Sequence, residues 1–564
     1  MQYYKNYLEE DHLNFGKLEF MDNTFYVNDN EVLNNRALVN DIVYVKNNEV
    51  VEIKEREIKN IIGILYLDSK IKYGNINNKS LYLFKPTHKS YPNFYIPYNN
   101  NKINKIYVII KFKEWKISDK LPIGNLIDVL GDVGEKEAEF EHLRHFFEIN
   151  NKIWKIDHKI KNEHLKILND LESVNEDYQI FSIDPLGSKD IDDAFHFNIK
   201  GHESYEIGIH IASPTKFLEN NLGDILNRVS TVYSSIKNYN LIPNLYAEEL
   251  VSLLEGCKRY SLSLILTICY NEIINYELKE TIVKNIKNYH YDEFDKVYHK
   301  DTNLCNFVNF TKKFFKLEFI DSHKLVENWM ILANKKVAEY LIGKNLKNVI
   351  LRVHNNSDIL INDLNVEKEL KEYINIRNEK SALYKIYEID ELNQKHSKLG
   401  NNYYTHFTSP IRRAVDFFIH MLIIKNQDIL DKNELQSIID KINIFTKNSR
   451  KYDRNVKRLD FLYSISSLNK NIITYGYIVK ITKNKLSLYI PLYNLEEKVV
   501  IIPYKFEKIV EIKCDTYEDN AINKIIYVID NVKKEYYLYQ KLEIKLWVFT
   551  SFENIFDKLK VEIL

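Results

Sequence analysis

The sequence is poor in the residues that mark several classes of protein. Only 4 of its 564 residues are cysteine, and these are isolated, with no C-x-x-C pair: Cys257, Cys269, Cys305 and Cys514. This spacing argues against a zinc ribbon and against a disulfide framework, and it fits a reducing compartment. Glycine (14 residues) and proline (10 residues) are scarce, which excludes collagen-like and low-complexity chains.

The chain also lacks a net charge and long apolar runs. Its 79 Lys and Arg balance 79 Asp and Glu, so composition gives no sign of a strongly basic nucleic-acid-binding domain. Local charge can still attract nucleic acid to a groove. The most apolar segments, such as 417–424, are far shorter than the ~20 residues that cross a bilayer, and no signal peptide is recognisable. We therefore expect a soluble intracellular protein, cytoplasmic or nuclear, without a membrane partner.

The length of the chain and its pattern of strand-like and helical segments predict several domains. Hydrophobic residues make up 45% of the chain, enough for large cores, and a chain of this length usually divides. Short strands such as 42–45 and 106–110, separated by turns, predict two small barrels before residue 150, with a break near residue 58. A third barrel is expected after 470, with strands 475–481 and 486–492, and helical periodicity predicts an α+β body between. Small OB-type barrels often bind nucleic acid, but many bind nothing. The strand pattern alone does not decide between these two alternatives.

An acidic loop is the most informative segment. Four aspartates fall within ten residues, at Asp184, Asp190, Asp192 and Asp193. Two carboxylates about 4 Å apart repel by about 1 kcal/mol in water and about 4 kcal/mol at an effective dielectric of 20. Such a cluster favours hard cations such as Mg²⁺ or Mn²⁺, and two ions can clamp a phosphodiester. A solvated acidic turn is the alternative. Apolar neighbours, including Ile183 and Ile191, favour a partly buried loop.

A second unusual segment contains adjacent arginines. Ser409 and Pro410 have the pattern of an N-cap and a first helical residue, which predicts that Arg412 and Arg413 lie in the first helical turn. Cations are disfavoured there by the helix dipole unless an anion is also present. The segment therefore favours phosphate binding and a simple pair between Arg412 and Asp416 equally.

Together these segments resemble the RNase II/RNase R (RNB) superfamily. The acidic loop has the family spacing D-x5-D-x-D-D, and 405–413 reads T-H-F-T-S-P-I-R-R, the second family signature. Further matches lie between them in the family order, at 210–212, 230–233 and 326–334. The sequence departs from the family at Ser213, where Asp is usual, and at Ala414, where Tyr is usual; neither position is a matched metal ligand.

The resemblance covers nearly the whole chain and is nearest to the eukaryotic members, the exosome-associated catalytic subunit and its cytoplasmic paralogue. It implies a multidomain fold of OB-type β-barrels around an α+β RNB catalytic domain. The implied domains are a first cold-shock domain at 1–58, a second at 59–150, the RNB domain at 151–465 and an S1-like domain at 466–564. Since the chain begins at the first cold-shock domain, we expect the PIN domain to be missing, which argues against docking to the exosome core.

The resemblance further implies a processive 3′→5′ hydrolytic exoribonuclease that degrades single-stranded RNA to nucleoside 5′-monophosphates through two metal ions, largely without regard to sequence. Mg²⁺ is the expected cofactor, replaceable by Mn²⁺, and single-stranded RNA is the expected partner, with the exosome core a further candidate. The implied metal residues are Asp184, Asp190, Asp192 and Asp193, and the implied catalytic residues are Asp192 and Arg412. The implied RNA-binding residues are Tyr233, His406, Ser409, Arg412 and Arg413.

Two other functions are compatible with the same residues. One is a catalytically silent RNA-binding protein that keeps the fold, against which the intact aspartates and Arg412 argue. The other is a metal-dependent DNA nuclease with a similar carboxylate cluster, which only an all-deoxy substrate distinguishes.

Overall fold

The computed structural model describes most of the chain. The described residues are 14–71, 73–99, 104–149, 162–163, 166–167, 178–354, 366–378, 381–389, 391, 394–400, 402–468, 471–482, 484–501, 509–516, 522–529, 532–548 and 558–564. The beginnings of the domains predicted at 1–58 and 151–465 lie outside this set, as does Lys483 of the predicted carboxyl-terminal turn. Two compact units are formed, one by Met1–Ile149, Arg454–Lys470 and Trp547–Lys560, the other by Asn150–Asp453, Asn471–Leu546 and Val561–Leu564.

The first unit is built mainly from short antiparallel strands. Two three-stranded sheets, in the orders β1-β5-β6 and β2-β3-β4, come first. Their strands are β1 (Asn14–Lys17), β2 (Glu19–Met21), β3 (Thr24–Val27), β4 (Asn30–Val32), β5 (Ile42–Lys46) and β6 (Glu49–Glu55). Alternate residues of β5 point inward, so Val43 and Val45 are buried among Leu18, Val27 and Val50. This confirms the strand predicted at 42–45.

A six-stranded sheet follows and closes on itself. Its order is β10-β12-β11-β7-β9-β8, and β9 also pairs with β10, so five strands form a ring of the OB type. The strands are β7 (Asn60–Tyr66), β8 (Asn75–Ile76), β9 (Lys79–Pro86), β10 (Phe94–Tyr98), β11 (Lys105–Glu114) and β12 (Ile123–Asp132). Leu65, Phe84, Ile96 and Val108 fill the interior. The strand predicted at 106–110 is confirmed as part of β11.

The second unit contains a six-stranded sheet that carries the acidic loop. Its order is β17-β16-β15-β14-β13-β18, antiparallel except for the β13–β18 pair. The strands are β13 (Phe181–Asp184), β14 (Asp193–Gly201), β15 (Ser204–Ala212), β16 (Lys258–Cys269), β17 (Glu272–Lys284) and β18 (Lys287–His290). A separate pair consists of β19 (Ile350–Val353) and β20 (Leu383–Ile386).

Helices occupy much of the chain between the barrels. The helices are α1 (Lys136–Phe146), α2 (Thr215–Leu218), α3 (Leu222–Arg228), α4 (Tyr291–Val297), α5 (Thr302–Phe314), α6 (Ser322–Gly343), α7 (Lys368–Asn378), α8 (Ala414–Lys425) and α9 (Lys432–Leu468). A π-helical turn lies at Leu245–Leu250, and 3₁₀ turns at Glu219–Asn221, Tyr298–Lys300, Ser397–Leu399 and Pro491–Tyr493. The periodic segment around Trp329 is confirmed as helix α6. Within the described residues, no helix is both long and apolar enough to traverse a lipid bilayer.

The two faces of the six-stranded sheet in the second unit differ in chemistry. On one face Phe195 and Phe197 of β14 pack with Phe307 of α5, which in turn stacks on the fully buried Trp329. On the other face His196 hydrogen-bonds to His210 on β15, at 2.8 Å between Nδ1 and Nε2. The face that carries Phe195 and Phe197 therefore packs an apolar core against helices α5 and α6.

The carboxyl-terminal strands form an eight-stranded sheet. Its path is β23-β22-β21-β25-β24, with β26 on β25 and β27 pairing with both β21 and β28. The strands are β21 (Ile472–Ile481), β22 (Lys485–Ile490), β23 (Leu495–Val500), β24 (Ile509–Thr516), β25 (Ile522–Ile529), β26 (Val532–Tyr537), β27 (Lys541–Val548) and β28 (Leu559–Ile563). The strand predicted at 475–481 is confirmed. The one predicted at 486–492 ends early, because Pro491 begins a 3₁₀ turn. The domain boundaries drawn from the sequence stay predictions.

Gly208 is a position where the sheet tolerates no side chain. It pairs with His196 across β14 and β15, and a Cβ at Gly208 would lie 2.2 Å from Cε1 of His196. We expect Gly208→Ala to displace the His196 ring and to lower the free energy of unfolding by about 1–3 kcal/mol. Gly223→Ala, in helix α3 with open space around the new methyl, is the control and should be neutral or stabilising. Equal thermal midpoints for the two variants would contradict this prediction.

Candidate active site

The acidic loop joins the ends of two strands. Strand β13 ends at Asp184 and β14 begins at Asp193. Between them the chain turns at Pro185–Ser188, where the Ser188 N–H donates to the Pro185 carbonyl at 3.1 Å and Gly187 takes a φ of +82°. Glycine suits this left-handed conformation. The loop therefore begins and ends on sheet backbone.

The second half of the loop is fixed by backbone hydrogen bonds. The Ile191 N–H donates to Ser252 Oγ at 2.9 Å, and the Ser252 hydroxyl donates to the Lys189 carbonyl at 2.7 Å. The carbonyl of Asp192 accepts from the Ala212 N–H at 2.8 Å. Ile191 is 2% exposed, which confirms the expectation of a partly buried loop.

The arginine segment has a different backbone from the predicted one. Helix α8 begins at Ala414, and Arg413 before it is extended (φ −132°, ψ 124°). The prediction that Ser409 caps a helix containing both arginines is therefore wrong. The reason is backbone pairing with another segment: Arg413 bridges Ser230, the Thr231 N–H donates to the Arg412 carbonyl, and the Ala414 N–H donates to the Val229 carbonyl. Val229 takes a φ of +68°, an unfavourable conformation for a β-branched residue.

Asp416, in the first turn of α8, holds the arginine segment by hydrogen bonds. Its Oδ1 accepts from the Ser409 N–H and from Nη2 of Arg413, each at 2.8 Å. Asp416 is fully buried. The alternative pair between Arg412 and Asp416 is wrong, since Arg413 takes that carboxylate and leaves the Arg412 guanidinium for the acidic loop.

The two segments meet at Asp192. Its Oδ2 accepts from Nε of Arg412 at 3.0 Å, and its Oδ1 accepts from the Ile411 N–H at 3.1 Å. Nη2 of Arg412 also donates to Ser409 Oγ at 2.8 Å. Burial raises the pKa of Asp192 to about 7, against the opposing effect of the Arg412 charge. Both of its oxygens accept hydrogen bonds, an arrangement that favours the ionised form.

The remaining carboxylates carry more negative charge than the surroundings compensate. Burial, the main cause, raises the pKa of Asp184, with the nearby Asp190 adding to it. The pKa of Asp193 is raised well above its usual value by burial and by the charges of Asp184 and Asp192. One buried oxygen, Oδ2 of Asp184, has no hydrogen-bond partner. This part of the loop is a place where a cation would be stabilised.

An open cavity of about 750 Å³ lies over these groups. All the predicted metal and catalytic residues line it, together with Tyr233, Ser409 and Arg413 of the predicted RNA-binding set. Tyr233 is 47% exposed, and its hydroxyl donates to Oδ2 of Asp190 at 3.0 Å. His406 lies outside the lining; its Nδ1 is 2.5 Å from the Tyr384 hydroxyl.

The cavity also has walls that sequence reasoning did not select. Tyr291 follows β18, and burial together with the charges of Asp193 and Asp184 raises its pKa to about 12. Asn334 on α6 is buried, accepts from the Phe407 N–H and donates to the Tyr404 hydroxyl. The match at 326–334 marked this part of α6 without giving it a role, whereas Tyr291 is one of 41 tyrosines and carried no signal.

The donor set fits a hard divalent cation only in part. Carboxylate oxygens, one of them buried without a partner, are the ligands such ions prefer. However, among the described residues no three Asp, Glu, His or Cys side chains already converge as a complete metal site. Asp192 is held by Arg412, so Asp184 and Asp193 are the side chains best placed to be ligands, with further oxygens to come from substrate or water.

Two protein families match the chain. The RNB domain matches residues 169–314 and 310–432, and the Dis3-like cold-shock domain 2 (CSD2) matches residues 81–145. The chain is 24% identical over 518 residues to the exosome complex exonuclease RRP44 of Mus musculus. This alignment covers 75% of this chain and 53% of RRP44. The chain therefore spans about half of the length of the curated relatives it matches.

Two solved structures share the fold over nearly the whole chain. Mycoplasma genitalium RNase R in complex with ribose-methylated single-stranded RNA aligns with a TM-score of 0.73 and 17% identity, over 98% of this chain and 100% of that one. Yeast Ssd1, described as a pseudonuclease, aligns with a TM-score of 0.70 and 15% identity, over 98% of this chain and 96% of that one. The same architecture thus occurs with and without nuclease activity.

The crowded charge at Asp193 makes a prediction for stability. A carboxyl group whose pKa is raised on folding destabilises the folded state at pH values above its unfolded pKa of about 3.9. In EDTA at pH 7, Asp193→Asn should therefore raise the thermal midpoint, by roughly 2–4 °C for each kcal/mol relieved. Added Mg²⁺ should stabilise the wild type more than this variant. Asp440→Asn, at an exposed position of α9, is the control; a lower midpoint for Asp193→Asn in EDTA would contradict the prediction.

Proposed function

Because the chain belongs to the RNase II/RNase R (RNB) superfamily, we propose that it is a metal-dependent 3′→5′ exoribonuclease that hydrolyses single-stranded RNA processively to nucleoside 5′-monophosphates. The observation that carries the proposal is the contact between Asp192 and Arg412, which brings the acidic loop and the guanidinium to one cavity. A phosphodiester in that cavity would meet carboxylates on one side and a guanidinium on the other. Carboxylate-bound cations and a guanidinium are the groups that stabilise phosphoryl transfer.

We assign the carboxylates to divalent ions of the Mg²⁺ or Mn²⁺ type. Asp184 and Asp193 would be direct ligands, and Asp190 would complete or orient the set. Bound ions of this kind lower the pKa of water and neutralise the charge on the leaving oxygen. Asp192 would orient the attacking water, because it is the carboxylate that Arg412 and the Ile411 N–H hold in a fixed position.

Arg412 would bind the scissile phosphate. The Arg412 side chain is 43% exposed although its Nε donates to Asp192 and its Nη2 to Ser409, so the rest of the guanidinium can reach a ligand in the cavity. Arginine donors match phosphate oxygens in geometry and charge. Ser409 positions this guanidinium, and Arg413 would act indirectly through Asp416, which orders the same turn.

Tyr233 would stack on the terminal base of the RNA. Its ring is half exposed in the cavity, and its hydroxyl is held by Asp190, so the ring is presented in a fixed orientation. Base stacking on aromatic rings contributes about 1–3 kcal/mol and tolerates any sequence. We propose that the barrels predicted at 1–58, 59–150 and 466–564 gather the strand, and that contacts to the 2′-hydroxyl select RNA over DNA. The exosome core stays a candidate partner only.

A catalytically silent RNA-binding protein is the second candidate. The likeness of fold to Ssd1, a pseudonuclease, favours it. The four aspartates and Arg412 favour the first candidate.

One assay separates the candidates. Single-stranded RNA labelled at its 5′ end is incubated with the protein and Mg²⁺, with EDTA and an all-deoxy strand of the same sequence as controls. An exoribonuclease gives a ladder that shortens from the 3′ end and a short final product, only with the metal and only with RNA. Binding without cleavage would support the silent protein, and cleavage of the deoxy strand would support a DNA nuclease.

Asp192→Asn should abolish hydrolysis while RNA binding persists. The amide keeps the size of the carboxylate but cannot orient water as an anion, so we expect the single-turnover rate to fall by at least about 100-fold, the scale for loss of one group that stabilises charge. Fluorescence anisotropy with labelled RNA measures the binding. The exposed Asp440→Asn serves again as the control, and comparable turnover by Asp192→Asn and the wild type would remove Asp192 from the catalytic set.

Tyr233→Ala should lengthen the final undegraded product. Without the ring, the last few nucleotides lose a stacking contact and dissociate earlier. Tyr233→Phe is the matched variant: it keeps the ring, loses the hydrogen bond to Asp190, and should leave the product length close to that of the wild type. If Tyr233→Ala and the wild type stop at the same length on a sequencing gel, the ring does not hold the terminal base.

A further inference from the structure

The outer surface of the terminal barrel carries a group of aromatic side chains, which we call the tyrosine face. It consists of Tyr475 and Tyr477 on β21, Tyr489 on β22 and Lys541 at the start of β27. Nζ of Lys541 lies 4.0 Å from the ring centre of Tyr475 and 5.3 Å from that of Tyr477. Aromatic rings beside a cation are what OB-type barrels use to hold single-stranded nucleic acid.

Helix α7 covers the tyrosine face with a stacked ring. The ring of Tyr373 lies parallel to that of Tyr489, with centroids 3.7 Å apart and an interplanar angle of 12°. Protein aromatic pairs commonly adopt offset-stacked or edge-on arrangements with ring centroids about 4.5–7 Å apart, so this pair is unusually close. A close parallel stack is the geometry that a nucleic-acid base adopts on an aromatic platform.

Carboxylates from the same region occupy the polar part of the face. Both oxygens of Glu367 accept from Nζ of Lys541, at 3.0 and 2.9 Å. The Tyr477 hydroxyl is 2.6 Å from an oxygen of Glu367 and 2.6 Å from an oxygen of Glu369. Two anionic groups thus meet a lysine and a tyrosine hydroxyl, the partners that phosphate oxygens of a bound strand would take.

Apolar contacts hold the helix in place. Leu370 and Ile374 are 1% and 4% exposed and pack with Tyr477, Val479 and Tyr489, which are themselves buried. Nη1 of Arg377 donates to the Val479 carbonyl at 2.7 Å. A strand of RNA therefore cannot reach the buried rings of Tyr477 and Tyr489 while the helix is docked.

We propose that the tyrosine face is a binding site for single-stranded RNA and that α7, with Glu367 immediately before it, occupies the face as an internal mimic of the ligand. Tyr373 stands in for a base, and Glu367 and Glu369 stand in for phosphates. RNA and α7 compete for the face, so the docked helix is an autoinhibitory contact. This inference rests on the proposed function insofar as it takes RNA as the ligand.

Hydrogen exchange of the full-length Asp192→Asn protein tests the competition without altering the interface. Saturating single-stranded RNA should speed the exchange of amides in 368–378, because the helix leaves the barrel, while the amides of β21 and β22 remain protected. Unchanged or slower exchange in α7 with RNA bound would overturn the inference.

Substitutions on the helix provide the second measurement. In the Asp192→Asn background, Tyr373→Ala combined with Glu367→Gln and Glu369→Gln should tighten RNA binding by about 5-fold or more, the lower end of what one base stack contributes. Adding Lys541→Gln should remove that gain. Glu372→Gln is the matched control, since this carboxylate pairs with Lys368 of the same helix. Unchanged or weaker binding by the triple variant would make α7 a permanent part of the barrel.

The outcomes separate this inference from the proposed function. If the wild type degrades RNA but α7 and its variants behave as in the protein without RNA, only the inference fails. If the protein neither binds nor degrades RNA, both fail.

Discussion

Asp192 accepts hydrogen bonds from the Arg412 side chain and the Ile411 N–H, and through this contact two segments 220 residues apart become one site. The contact fixes the arginine by its Nε and leaves the rest of the guanidinium toward the cavity. It also uses one of the four aspartates, so the remaining acidic groups face one another with little compensation. Burial, reinforced by this imbalance, raises the pKa values of Asp184 and Asp193. A ligand that brings positive charge would complete the arrangement.

The contact between Asp192 and Arg412 is surrounded by energetically unfavourable local features. Val229 adopts a left-handed backbone conformation at the point where its carbonyl receives the Ala414 N–H, and such conformations cost of order 1–3 kcal/mol. Asp416 is fully buried, with one oxygen lacking a partner among the described residues. These unfavourable features surround the cavity, whereas the sheet behind it is packed with Phe195, Phe197 and Trp329. The free energy gained by packing this core offsets the unfavourable conformations that the site requires.

The sequence predicted the architecture well, for identifiable reasons. Alternating strands and the α6 periodicity are local signals, and the four aspartates lie close enough in the chain to mark a single acidic loop. It failed where a tertiary contact overrode a local preference. Ser409 and Pro410 look like the start of a helix, but pairing with 229–231 keeps Arg413 extended and delays α8 to Ala414. In the same turn Arg413 takes Asp416 and Arg412 takes Asp192, whereas position alone left phosphate binding and an Arg412–Asp416 pair equal.

Other parts of the site had no signal in the sequence. Tyr291 enters the cavity wall only because β18 runs parallel to β13 and ends beside Asp184, and strand order cannot be read from one chain. Similarly, nothing in the segment 366–378 indicates that it lies on the terminal barrel. Both placements depend on contacts between residues about 100 positions apart, such as Tyr477 with Glu367.

The ion pair between Glu367 and Lys541 has a consequence for the ionic-strength dependence of the protein. Binding of a polyanion to lysines normally weakens steeply as salt rises. The cations condensed on the polyanion are released on binding, and their release becomes less favourable as the salt concentration increases. Here the same salt also screens the carboxylate that already neutralises Lys541. Salt therefore weakens the attraction of Lys541 for RNA and for Glu367 together. A plot of the logarithm of RNA affinity against the logarithm of salt concentration should have a shallower slope at this barrel than the number of surface lysines suggests.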